Sequence, residues 1–190
     1  MSRPRVVLVA VGLLLLLSPI LGAATVPRPA PEFAVQLNGG KQISLSSYRG
    51  KVVVLAFILT YCPHCQKTLG FLSKMQTEYG PKGFQVIGSA VEDMAAADLP
   101  EFLRRFRPPF PMGFNTRAPV LDFLEHPARL MMPQVVFVDR RGVIRGQYGG
   151  DDPFLAEAVQ EKNLRGKVED LLQEPRPTPK KSTSKRRTKS

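Results

Sequence analysis

The chain has 190 residues, 43% hydrophobic and 23% charged, with two cysteines and no tryptophan. That sets aside a wholly disordered chain and a disulfide-dense mini-protein. The net charge of +11 sits mostly at the ends: Arg176, Lys180, Lys181, Lys185, Arg186, Arg187 and Lys189 near the C-terminus, Arg3 and Arg5 near the N-terminus. Residues 25–174 are left at +2, so a basic nucleic-acid groove is not indicated.

In chain order, Arg3 and Arg5 precede an apolar run from Val6 to Leu17, broken by Ser18-Pro19 and followed by the small residues Gly22-Ala23-Ala24. This is the layout of a secretory signal peptide, residues 1–24, cleaved after Ala24. The alternative is an uncleaved anchor through residues 6–24, a stretch just long enough to span a membrane. Either way the rest of the chain is expected outside the cytosol, in a periplasmic or other extracytoplasmic space where a cysteine pair can stay oxidised or cycle.

Residues 25–32 read as a proline-rich linker. A domain is expected over 33–174. Phe33–Leu37 and Lys41–Leu45 read as a hairpin around Asn38-Gly39-Gly40. Lys51–Thr60 is a continuous β-branched and apolar run, the pattern of a strand buried on both faces. A helix is expected after Cys62, carrying Leu69, Leu72, Met75 and Tyr79 inward and ending at Gly80. Phe84–Val91 reads as a strand, and Asp98 as the cap of a helix reaching Arg107. After Pro108, Pro109 and Pro111 come a short strand at Met112 and a short helix over Val120–Leu124. Gln134–Asp139 and Val143–Tyr148 read as a second hairpin about Arg140-Arg141-Gly142. Asp152-Pro153 opens a helical segment, and Asn163–Gln173 a further helix, with Gly166 arguing against continuity between them. The basic tail, 175–190, lacks the apolar residues to fold alone and reads as a disordered extension suited to anionic surfaces. The order of elements predicts an α/β fold with a mixed sheet flanked by helices.

Cys62 and Cys65 stand where the buried strand meets its helix. Cys62 falls just before the first turn, with Pro63 at the first helical position. Unpaired N–H groups and the positive end of the helix dipole favour a thiolate there. Cys65, deeper in the turn, is placed to attack a mixed disulfide on Cys62 and release the substrate. Pro63 and His64 tune the balance. Pro63 fixes the helix start, and His64 can stabilise a neighbouring thiolate, which favours the dithiol and makes the disulfide a better oxidant.

The motifs GKQISLSSYRGKVVVLAFILTYCPHC, the strand ending VED, and MMPQVVFVDRRGVI together resemble the thioredoxin-fold thiol–disulfide oxidoreductases, in particular their exported TlpA/ResA-like branch. The resemblance spans roughly residues 31–172. It implies a thioredoxin-like fold with an N-terminal hairpin and a strand–helix insertion at about 110–125. It also implies a cis proline at Pro133 that faces the cysteines. Met132, before it, would then offer its backbone to an extended substrate, so the pair shapes a substrate groove. Implied partners are protein thiols and disulfides, with a membrane or soluble redox partner that recycles the pair; no organic cofactor or metal is called for. The Pro63-His64 dipeptide is similar to that of the DsbA oxidants and leans towards oxidation. The overall resemblance leans towards reduction, for instance of apocytochrome or metal-site thiols in assembly. In that family a buried acid stands at one of two positions, held here by Ala56 and Thr68. Glu92 and Asp93, at the end of the next strand, can lie near the site but read in the first place as solvated loop residues.

Three other readings compete. A structural disulfide of such short span closes a tiny loop and stabilises little. A copper-binding metallochaperone would use the two thiolates, with His64 and His126 as the remaining soft or imidazole candidates; His126 otherwise reads as an exposed helix-end residue. A peroxidase of the peroxiredoxin type has proline and threonine before its cysteine at a longer spacing. Here Thr60 stands two before Cys62 and no proline precedes it in the strand.

Overall fold

The computed structural model describes residues 25–126 and 130–176. The expected signal peptide or anchor and nearly all of the basic tail lie outside them. Among the described residues no helix is long and apolar enough to cross a membrane.

Among the described residues, eight strands form one sheet, and four α-helices cover it. In chain order these are β1 (Arg28–Pro29), β2 (Ala34–Gln36), β3 (Gln42–Ser44), β4 (Val52–Ile58), α1 (Pro63–Tyr79), β5 (Phe84–Ala90), α2 (Ala95–Phe106), β6 (Met112–Phe114), α3 (Arg117–Leu124), β7 (Gln134–Val138), β8 (Val143–Tyr148) and α4 (Gln160–Gln173). The spatial order is β1-β8-β7-β4-β5-β6-β2-β3. β4, β5 and β6 run parallel, and β7 lies antiparallel beside β4. The β2–β3 hairpin turns through Gly39 and Gly40, both at positive φ, which β-branched or bulky residues resist.

β4 is buried along its whole length because both sheet faces are covered. Alternate side chains point to opposite faces. Val52, Val54, Ala56 and Ile58 join a core made with Leu69, Leu72 and Met75 of α1 and Leu164, Val168 and Leu171 of α4. Val53, Leu55 and Phe57 join a second core with Phe33, Val35, Val120, Phe123 and Leu124. The apolar faces of α1 and α4 are thus what clamp the strand that ends at the cysteines.

Four expectations change. The 25–32 stretch contributes an edge strand: Arg28 pairs with Ile144, and its guanidinium reaches the Phe123 carbonyl (3.0 Å) and Gln147 (2.9 Å). Proline at an edge strand costs no ladder bond, which is why a proline-rich segment can sit there. α2 starts at Ala95, ahead of Asp98, since Ala95, Leu99 and Phe102 all face the core. α3 starts at Arg117 for the same reason, with Pro119 tolerated in its first turn. Asp152 caps only a short turn, Pro153–Leu155, while α4 begins at Gln160 and runs straight through Gly166. At its far end Arg140 caps α4, its Nη1 bonding the Leu171 carbonyl (3.2 Å) and that of Glu174.

Candidate active site

Both cysteines are in the thiol form, Cys62 half-buried and Cys65 fully buried. The Cys62 N–H is held by the Leu59 carbonyl (3.1 Å) as β4 ends. Cys62 is the N-cap of α1, with extended backbone, and Pro63 occupies the first helical position. Its Sγ accepts the Cys65 N–H at 3.4 Å, filling the place of a capping oxygen. The sulfur therefore stands at the positive end of a 17-residue helix, in the position the sequence assigned to it.

Cys65 lies under it, inside the core of α1 and β4. Burial pushes its thiol far up from the ordinary value, and the neighbouring Cys62 and Glu92 push it further.

His64 is anchored elsewhere than the sequence suggested. Its Nε2 lies 3.0 Å from the Leu155 carbonyl. A carbonyl only accepts, so Nε2 carries the proton. Behind it Thr68 and Gln160 are both fully buried, with Thr68 Oγ1 within reach of the His64 carbonyl (3.0 Å) and the Gln160 side chain (2.9 Å). Thr68, at one of the two expected acid positions, is thus closed into a neutral network. Ala56, at the other, is core.

A carboxylate does reach the site, from a place the sequence read differently. Glu92, two residues past β5, is not a solvated loop residue. Its Oε1 accepts both the backbone N–H of Thr60 (3.0 Å) and the Thr60 hydroxyl. The Thr60 carbonyl in turn accepts Gln66 Nε2 (2.8 Å), so the turn into Cys62 is pinned from both sides. Glu92 Oε2 is buried and has no hydrogen-bond partner among the described residues. Asp93, the next residue, is exposed as expected. Nothing in the periodicity marked Glu92, because its partner is a residue 32 positions earlier.

Met132-Pro133 is a cis peptide. Gln134 pairs with Phe57, so Pro133 falls opposite the end of β4, beside the turn into Cys62. The Met131 carbonyl accepts the Gly150 N–H (2.8 Å) and Gln134 Nε2 (2.7 Å). A Cβ on Gly150 would sit 2.2 Å from the Met132 oxygen, so only glycine allows this approach. Next to the turn is a hollow of about 300 Å³ walled by Leu59, Tyr61, Val120, Leu130 and Met132, with Glu92, Asp93 and Arg117 also at its sides. Tyr61, 68% exposed, stands at its mouth. No group of three or more His, Cys, Asp or Glu side chains gathers at one point among the described residues, so neither histidine joins the cysteines as a metal cluster.

The model of the AhpC/TSA family matches residues 26–147. The thiol–disulfide oxidoreductase ResA of Bacillus thuringiensis subsp. konkukian (strain 97-27) is 23% identical over 124 residues, which cover 65% of this chain and 69% of that protein. Among solved structures, a candidate thiol:disulfide interchange protein DsbE from Chlorobium tepidum superposes with a TM-score of 0.64 at 26% identity, covering 77% of this chain and 96% of that one. A thiol:disulfide interchange protein of the thioredoxin family from Chlorobium tepidum TLS superposes with a TM-score of 0.64 at 22% identity, over 79% of this chain and 99% of that one, and shares the fold.

Proposed function

The chain belongs to the AhpC/TSA family and has a thioredoxin-like fold, and from that premise we propose that it is an exported thiol–disulfide oxidoreductase exchanging a Cys62–Cys65 dithiol/disulfide with protein thiols. The observation that carries the reading is the pairing itself: one half-buried sulfur capping a helix start, and a second, fully buried, three residues on. Cys62 is the nucleophile because its sulfur is the reachable one and sits where negative charge is favoured. It attacks a substrate disulfide and forms a mixed disulfide. Cys65 then attacks Cys62 Sγ, closing the intramolecular disulfide and releasing the substrate thiol. The reverse sequence oxidises a substrate dithiol.

The Met132–Pro133 turn and the hollow beside it form the substrate groove, which offers an extended peptide both apolar contacts at Val120, Leu130 and Met132 and charged ones at Glu92, Asp93 and Arg117. Export rests on the charged, apolar and small-residue regions of residues 1–24. Pro63 sets the helix start. His64, tied to Leu155, acts on the cysteines through the placement of the first turn.

Trapping tests the reading. Cys65→Ser protein exported in cells accumulates mixed disulfides with partner proteins, and Cys62→Ser protein accumulates none. Absence of any trapped species from Cys65→Ser removes the proposal. The equilibrium potential of the pair in glutathione buffers gives the direction. A value well above that of thioredoxin, about −270 mV, marks an oxidant, and one at or below it a reductant.

A further inference from the structure

Resolution of the mixed disulfide needs Cys65 as a thiolate, and Cys65 is the less able of the two to become one. It is wholly buried, and burial holds its proton on. A neutral thiol is a poor nucleophile. The side chains packed round it offer few proton acceptors. Ala56 has none. Thr68 is committed to the His64 carbonyl and Gln160. His64 donates from Nε2 to the Leu155 carbonyl, which ties its ring to the Pro153–Leu155 turn and leaves Nδ1 as its one acceptor.

Glu92 differs from all of these. Two donors from Thr60 grip Oε1 and fix the carboxylate's orientation. That leaves Oε2 buried with an empty acceptor site among the described residues, a state that protein interiors normally avoid. The other ionisable groups around it are Cys62 and Cys65 of α1, Tyr61 of the turn, Asp93 of its own loop and Arg117 of α3. Asp93, Arg117 and Tyr61 are exposed, so water screens them.

We infer, on the exchange reading above, that Glu92 is the proton acceptor for Cys65 when the mixed disulfide on Cys62 is resolved. Oε2, which is not within direct hydrogen-bond reach of Cys65 Sγ, takes the proton from it through one intervening water. The thiolate attacks Cys62 Sγ, the bond between Cys62 and the substrate sulfur breaks, and the departing substrate thiolate collects a proton. Two cysteines are oxidised to a disulfide, and the substrate disulfide has become two thiols. In the opposite direction Glu92 returns the proton to Cys65.

The two steps separate with 5,5′-dithiobis(2-nitrobenzoate) and the reduced full chain. The first equivalent of thionitrobenzoate reports attack by Cys62, and the second reports attack by Cys65 on the mixed disulfide. Cys65→Ser gives the first phase alone. Glu92→Gln keeps an acceptor for Thr60 but cannot take a proton. It is expected to leave the first phase intact and slow the second about 100-fold at pH 7, with a steeper rise towards pH 9 than the wild type shows. Glu92→Asp keeps an ionisable group and the wild-type pH profile, at a lower rate. A second phase in Glu92→Gln equal to wild type across that range overturns the assignment. So does equal slowing of both phases, which would place Glu92's effect in the shape of the turn. A wild-type protein with no second phase defeats the exchange reading itself, and a wild type with both phases but an indifferent Glu92→Gln defeats only the assignment.

Discussion

Two carboxylates close the two ends of the sheet, and they are held in opposite ways. Asp139 follows β7 at the end where β4 begins, and its side chain is 2% exposed. Oδ1 accepts the N–H groups of Arg141 (2.8 Å) and Val143 (3.0 Å), and Oδ2 accepts from Arg145 (3.1 Å). Both oxygens are occupied, and the β7–β8 turn is built around them. Glu92 follows β5 at the end where β4 leads to the cysteines, with one oxygen doubly bonded and the other empty. A carboxylate closed on every side holds geometry. One left open on a single, buried side is available for a proton, and its grip on Thr60 keeps that side aimed.

Removing the closed one produces the largest effect. Asp139→Ala leaves two backbone N–H groups unpaired and Arg145 with Glu174 as its remaining carboxylate partner, and is expected to cost on the order of 3 kcal/mol in urea unfolding. Both thionitrobenzoate phases of the folded protein stay unchanged. Next comes pH. The Cys65 thiol is raised in the fold above its ordinary value of 9.0. Above that pH the unfolded chain loses a proton that the folded chain keeps, so stability that is full below about 9 declines as pH rises. Unfolding of reduced wild type should weaken relative to Cys65→Ala by up to about 1.4 kcal/mol per pH unit there. Tyr79, pushed up to about 12 mainly by burial, adds a decline above pH 10 common to both proteins, which the comparison cancels. A smaller effect comes from Thr60→Val, which removes the hydroxyl donor to Glu92 but keeps the backbone one. It should cost about 1 kcal/mol and leave the second phase in place, since the carboxylate remains. Smallest is Asp93→Asn, one residue along and exposed. Stability should stay within about 0.5 kcal/mol and both phases should match wild type.

What the sequence disclosed follows from which interactions are local. The all-apolar run of β4, the Cys62-Pro63 helix start and the inward stripe of α1 are written in consecutive or periodic residues, and each stands where its pattern places it. The cis peptide at Pro133 was legible through the family motif. The expected starts of α2 and α3 were set by the Asp98 cap and the Val120–Leu124 apolar run; the helices begin earlier, at Ala95 and Arg117, with Pro100 and Pro119 near beginnings that core contacts stabilise. Gln160, ahead of the expected helix start at Asn163, is fully buried against Thr68, and α4 begins there, three residues early. Glu92 was misread because an acid after a strand normally meets water. Only the parallel pairing of β5 with β4 brings it to Thr60.

Arg140 fixes more than the last turn of α4. By gripping the Leu171 and Glu174 carbonyls it sets the point where the backbone leaves the folded body, on the Asp139 side of the sheet. β4 runs from that side to the cysteines, so the exit and the reactive sulfur occupy opposite poles. A fluorophore, affinity handle or chip linker joined directly after Arg176, in place of the rest of the tail, therefore departs from the pole remote from Cys62. Immobilised through that handle, the protein would present its sulfur outward, away from the support.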